Sequence, residues 1–158
     1  MIHYDLLHHE QTRGHPVRVG VSGAGWLGSG FVTAVSHVAG MTVNVLADAD
    51  TRAAWRALAA IGVPPDRIVE ASAPGAAMDA LRAGRRVVTG DYSLAAQLED
   101  VDIVADATPS PATGAETAYA CIRYHKDVVM VNIEADVTVG RILSRLAREA
   151  GVLYTVSS

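Results

Sequence analysis

The chain of 158 residues has little cysteine, little lysine and no long apolar run. The single cysteine, Cys121, excludes an intrachain disulfide and fits a reducing compartment. It sits in an apolar helical pattern, which suits a small buried hydrophobe better than a reactive thiol. The only lysine is Lys126, and the 13 basic residues are outnumbered by 17 acidic ones, for a net charge of −4. No basic stripe appears, so nucleic acid is not an expected partner. No apolar run approaches the roughly 20 residues that span a bilayer, so no membrane role is expected. The opening Met1-Ile-His-Tyr-Asp5 lacks the basic and apolar regions of a signal peptide, which predicts a cytoplasmic protein. Charged residues are 19% and apolar residues 50%, enough for a core and unlike a disordered chain.

What is present is organised around Val17 to Gly28. Val17 to Val21 reads as a buried strand, and Gly23, Gly25 and Gly28 follow in the spacing G-x-G-x-x-G. Leu27, Phe31, Ala34, Val35 and Val38 then recur at helical spacing. Strand, glycine turn and helix are the context that the dinucleotide fingerprint requires. Gly23 permits the tight turn, Gly25 lets a pyrophosphate approach the backbone, and Gly28 lets the helix pack on the strand. The first helical turn offers unpaired N–H groups and a positive dipole end to phosphates. A second strand, Thr42 to Ala47, ends on Asp48, twenty positions after Gly28, where a carboxylate would hold the adenosine ribose. A turn or helix-capping role is the plainer alternative for Asp48, although Asp50 and Thr51 could supply it instead. Asp48 favours NAD over NADP, because it repels a 2′-phosphate. Arg52, one helical turn on, works against that preference.

Along the chain, Tyr4, Leu6 and Leu7 suit one helical turn. His8 and His9, as neighbours, diverge on a helix and read as surface residues. Gly14-His15-Pro16 breaks the chain before the first strand. A helix is predicted over 51–60 with Trp55, Leu58 and Ala59 inward, and an inserted helix within 71–83. Strands are predicted over 86–89, 101–106, 127–132 and 152–156. A short helix is expected over 94–98, and a helix over 113–125 after Ala107-Thr-Pro-Ser-Pro111. A last helix is expected over 138–150 with Thr138 as its N-cap. Strands rich in Val and Ile without polar alternation suit a parallel sheet covered on both faces. Their alternation with helices predicts an α/β, doubly wound, three-layered sheet in the order 3-2-1-4-5-6.

Ligands in such sheets lie at the carboxyl ends of the strands. There Asn132-Ile-Glu-Ala-Asp136 places two carboxylates in one loop. Asp136 suits helix capping, whereas Glu134 suits a substrate or a metal ion, although the sequence shows no metal-ligand spacing.

Four stretches carry a family resemblance: Met1-Ile-His-Tyr-Asp-Leu-Leu7, Val17 to Gly25, Gly114-Ala-Glu-Thr117 and Val131-Asn-Ile-Glu-Ala-Asp-Val-Thr-Val-Gly140. Together the chain resembles the homoserine-dehydrogenase-like oxidoreductases, which include reductoisomerase-like enzymes acting on deoxyxylulose phosphate and often carry a C-terminal SAF domain. The resemblance implies a Rossmann NAD(P)-binding domain over 1–158, followed by a substrate and catalytic domain. It implies that Gly23, Gly25 and Gly28, with the N–H groups of Trp26 and Leu27, seat the pyrophosphate of NAD or NADP. Ala107, Thr108 and Pro109 would run along the nicotinamide, and Glu134 would be the catalytic carboxylate. Homoserine dehydrogenases proper bear a lysine near the loop after the fifth strand, where this chain has Glu134, so homoserine itself is not the expected substrate. The expected partner is a small-molecule substrate held by the further domain, with homo-oligomerisation open. The 158-residue chain alone is expected to bind cofactor without turnover. The rival reading is a non-catalytic module that senses NAD(H) or another nucleotide.

Overall fold

The computed structural model describes residues 7, 12 and 14–157. The expectations for Tyr4, Leu6, His8 and His9 lie outside the described residues. Among the described residues, seven strands form one parallel sheet: β1 (Val17–Ser22), β2 (Met41–Ala47), β3 (Ile68–Glu70), β4 (Arg86–Thr89), β5 (Ile103–Asp106), β6 (Asp127–Met130) and β7 (Tyr154–Val156). The order is β3-β4-β2-β1-β5-β6-β7. Apart from β3 at one edge, this is the order expected from the sequence. Five helices connect the strands: α1 (Trp26–Ser36), α2 (Thr51–Ala60), α3 (Pro74–Arg82), α4 (Pro111–Arg123) and α5 (Ile133–Ala150).

The sheet separates two apolar cores. Val19, Val21, Leu46 and Val88 face α1 and α2, whereas Val45, Val87, Val104 and Val128 face α3, α4 and α5. Neighbouring strand residues point to opposite faces, so both layers of helices draw on one continuous apolar run.

Several elements differ from expectation, each for a local reason. The strand β3 has only three residues and follows a 3-10 turn over Pro65–Arg67, too short a run to show periodicity. The inserted helix is α3, three positions inside the expected start. The helix expected over 94–98 is a 3-10 turn over Ala95–Gln97. The strands expected over 101–106, 127–132 and 152–156 are each shorter. The helix α4 begins at Pro111, because proline is tolerated in the first turn, where its missing N–H has no intrahelical partner. The helix α5 begins at Ile133 rather than after Thr138. Asn132 is its N-cap, and the Thr138 hydroxyl instead donates to the carbonyls of Glu134 and Ala135 inside the helix.

Two inner faces are rotated from expectation. On α1 the buried residues are Gly28, Val32 and Val35, while Leu27 and Ala34 are exposed and Phe31 is half-buried. Gly28 sets this face. A Cβ there would collide with the Gly23 carbonyl, so the helix lies on the sheet through Gly28 and its i+4 and i+7 neighbours. On α2 the inner stripe is Ala54, Ala57 and Leu58, and Trp55 lies outward at 38% exposure.

Candidate functional site

From β1 the chain winds to β2 on one side, and β5 pairs with β1 on the other. This is the switch point, where loops leave in opposite directions and open a crevice. The crevice encloses about 540 Å³ and is bordered by Gly23, Gly25, Trp26, Leu27, Asp48, Ala107, Thr108, Pro109 and Glu134, together with Tyr92, Val131 and Asn132. All the residues expected at the site therefore meet there except Gly28, which sits beneath the glycine turn.

The turn is built by its neighbours. Gly23 has φ +94°, and a Cβ there would lie 2.7 Å from the Ala107 carbonyl oxygen. Only glycine both adopts that backbone and admits that approach. Gly25 is the N-cap of α1 and supplies no side-chain acceptor to the first turn. Elsewhere Asp50, Ser110 and Asn132 cap α2, α4 and α5 with side-chain oxygens. The first turn of α1 contains no acidic residue, and a Cβ on Gly25 would meet nothing within 4 Å. Donor groups without a side-chain cap, facing open space at a positive helix end, fit a pyrophosphate.

Asp48 is half-buried at the end of β2. Its Oδ2 accepts the Ala24 N–H at 2.7 Å and its Oδ1 accepts the Asp50 N–H at 2.8 Å. The capping of α2 falls to Asp50, whose carboxylate accepts from the Arg52 N–H. Asp48 thus ties the glycine turn to β2, and each of its oxygens keeps a second lone pair for a ribose hydroxyl. Arg52 is exposed in the first turn of α2.

The opposite wall rests on a buried polar group that the sequence did not single out. Asp106 is fully buried at the end of β5 and accepts the Thr108 hydroxyl at 3.0 Å. The Asn132 amide donates to Thr108 Oγ1 at 3.2 Å and to the Ser110 carbonyl at 2.9 Å, and its oxygen accepts the Ala135 N–H at 3.0 Å. The Asp106 carbonyl accepts the N–H groups of Val131 and Asn132. One network therefore fixes both loops on that side. Gly114 allows it, since a Cβ there would lie 2.6 Å from Asp106 Oδ2 and 2.5 Å from Asn132 Nδ2. Burial pushes the Asp106 carboxyl above the ordinary carboxylate value, against the hydrogen bonds from Thr108 and Asn132 that pull it down.

Glu134 is exposed in the first turn of α5, where its charge complements the helix dipole. Asp136, in the same turn, accepts the Tyr154 hydroxyl at 2.8 Å instead of capping the helix. Cys121 is buried, and burial pushes its thiol up to about 12, which agrees with an inert core residue. Among the described residues no group of three His, Cys, Asp or Glu is placed to hold a metal ion, and no helix is long and apolar enough to cross a membrane.

Sequence reasoning marked the loop that begins at Asn132 but not the side chains of Tyr92, Val131 and Asn132. For Tyr92 the available signal was its place directly after Gly90-Asp91, which follows the strand expected over 86–89.

The sequence matches no protein-family model and no curated protein. Solved structures do match. A biliverdin reductase from Synechocystis, in complex with biliverdin and NADP+, shares 19% identity at a TM-score of 0.66, over 90% of this chain and 38% of its own. An NAD-binding oxidoreductase from Klebsiella pneumoniae shares 19% identity at 0.63, over 90% and 34%. A scyllo-inositol dehydrogenase from Lactobacillus casei shares 14% identity at 0.65, over 90% and 36%. The chain spans about a third of the length of these structures, and at such identities the likeness is one of fold. None of the three is a homoserine dehydrogenase, so they lend no support to that finer family. What they do establish is that this chain has the Rossmann-type, doubly wound fold found in NAD- and NADP-binding oxidoreductases.

Proposed function

We propose that the chain is the nicotinamide-dinucleotide-binding part of an oxidoreductase. The observation that carries this reading is the glycine turn, without a side-chain cap, opening onto a crevice with Asp48 on one side and Ala107 to Pro109 on the other. The N–H groups at Trp26 and Leu27 bind the pyrophosphate, and Gly25 leaves room for it. Asp48 accepts the hydroxyls of the adenosine ribose. Ala107, Thr108 and Pro109 line the nicotinamide side, held by Asp106 and Asn132. Bound NAD or NADP supplies the hydride exchange with a carbonyl or hydroxyl carbon. Glu134, an exposed carboxylate bordering the same crevice, takes or returns the hydroxyl proton. Its exposure in this chain suits a site that a further domain closes. The motif Val131 to Gly140 supports the finer reading of a homoserine-dehydrogenase-like or reductoisomerase-like enzyme.

The test is thermal unfolding with and without millimolar NAD(H) and NADP(H), confirmed by calorimetry. A ligand that binds only the folded state raises the midpoint by mass action. No shift with any nicotinamide or adenine nucleotide overturns the reading. Binding without turnover by any longer protein that contains this chain would favour the sensing module instead.

A further inference from the structure

The turn between β2 and α2 is where the adenosine ribose of a dinucleotide lies in this fold. Here most of its backbone donors are taken by partners within the chain. The Asp48 N–H donates to the Thr89 carbonyl at 2.9 Å, and the Asp50 N–H donates to Asp48 Oδ1 at 2.8 Å. The Arg52 N–H donates to Asp50 Oδ1 at 3.1 Å, and the Ala53 N–H donates to the Asp50 carbonyl at 2.9 Å. Ala49 lies at the middle of this turn, and its N–H donates to the Tyr92 hydroxyl oxygen at 3.0 Å. Tyr92 reaches it from the loop after β4, 43 residues away, and borders the same crevice as Asp48.

Tyr92 is held in place. The Asp91 carboxylate accepts both the N–H and the hydroxyl of Ser93 at 2.8 Å. The Asp91 N–H donates to Thr89 Oγ1, and the Tyr92 carbonyl accepts the Ser22 hydroxyl. The next residues, Leu94 and Ala95, are fully buried. The phenol is thus positioned before any ligand arrives.

A ribose diol and a 2′-phosphate make opposite demands on this turn. The diol brings its own protons, and the spare lone pairs of Asp48 receive them. A 2′-phosphate has only acceptors and carries about two negative charges, so it needs N–H or O–H donors or cations. It would meet the Asp48 carboxylate, and it would find the Ala49 N–H occupied. We propose that Tyr92 is a specificity residue for the dinucleotide, which discriminates against a 2′-phosphate by holding the Ala49 N–H away from it. The proposal rests on the dinucleotide reading given above.

The experiment measures dissociation constants by calorimetry for NAD+ and NADP+, and for AMP and adenosine 2′,5′-bisphosphate, on the native chain and on Tyr92→Phe. The native chain should bind the unphosphorylated member of each pair more tightly. Tyr92→Phe keeps the ring and frees the Ala49 N–H, so the ratio of the two constants should narrow by about tenfold, the scale of one hydrogen bond to a charged group. A merely structural role for Tyr92 would weaken both members equally and leave the ratio within a factor of two, which overturns the proposal. So does a native preference for the 2′-phosphate. Asp48→Asn is the companion variant. If it narrows the ratio while Tyr92→Phe does not, charge alone discriminates and Tyr92 has no part. Absence of binding by all four nucleotides to the native chain overturns the dinucleotide reading itself, a result distinct from binding with an unmoved ratio.

Discussion

The Asp48 carboxylate accepts the backbone N–H of Ala24 at 2.7 Å, so the end of one central strand holds the glycine turn that leaves its neighbour. Twenty-four residues separate the two positions in sequence, and the parallel pairing of β1 and β2 brings them together. Asp48→Ala removes this acceptor and leaves the partly buried Ala24 N–H without it. A hydrogen bond to a charged group is worth about 1.5–3 kcal/mol, and a loss of that order is expected in urea unfolding. The same variant should weaken nicotinamide nucleotide binding beyond the loss in stability, because the turn and the ribose acceptor go together.

Gly25 and Gly28 should separate binding from folding. At Gly25 an added Cβ meets nothing within 4 Å, so Gly25→Val should unfold near the native midpoint while losing the thermal shift from cofactor. At Gly28 a Cβ would strike the Gly23 carbonyl, so Gly28→Ala should destabilise the fold by about 1–3 kcal/mol before any ligand is added. Urea unfolding of both variants with and without NADH checks the contrast.

At the amino-terminal ends of the central strands β1 and β5, Arg18 forms a two-pronged contact with Asp102 and a further one with Asp100. Burial alone would raise the Asp102 carboxyl, but the hydrogen bonds and charge of Arg18 outweigh it and hold the group below its ordinary value. A carboxyl lowered in the folded state adds stability that is present above its unfolded pKa and is lost as pH falls through its folded pKa. Arg18→Gln should therefore cost no more than about 1 kcal/mol at neutral pH, since both side chains are about a third exposed. The difference from the native chain should vanish in strong acid. Urea unfolding of both proteins between pH 7 and pH 2 measures it.

Asp106 should behave with the opposite sign. Its carboxyl is raised by burial, so the folded state favours the proton, and stability falls as pH rises from the unfolded pKa through the folded one. Asp106→Asn removes that titration and leaves an oxygen to accept the Thr108 hydroxyl. Relative to the native chain, the variant should gain stability as pH rises from 3 to 7. A difference that stays flat across that range would show that Asp106 carries no burial cost.

The order of the sheet was legible because six of its strands carry short runs rich in valine, isoleucine or leucine that alternate with helical patterns. The seventh, Ile68-Val-Glu70, is held by pairing with β4 and has no pattern of its own. Helix starts were less legible, because proline and threonine each have two uses. Pro111 opens a helix as well as it breaks one, and Thr138 bonds back into a helix as well as it caps one. The stripe of α1 was misjudged by one position because Leu27, Phe31 and Ala34 are as apolar as the Val32 and Val35 that are buried. The close approach at Gly28 decided between them. The glycine turn and Asp48 were legible as a site because their spacing is local. Asp106 and Tyr92 were not, because the groups they help to join, Asn132 beside Thr108 and the Ala49 N–H beside the Tyr92 hydroxyl, come from loops far apart in sequence.

The alternation of core residues along the strands has a consequence for how the protein can change. Val45 and Leu46 are adjacent and both fully buried, yet they belong to different cores. Leu46 supports α1, and through it the floor of the glycine turn, whereas Val45 supports the layer built on α3, α4 and α5. These adjacent positions of one strand thus answer to different tenants, and substitutions can drift on one side of the sheet while the other side stays as it is.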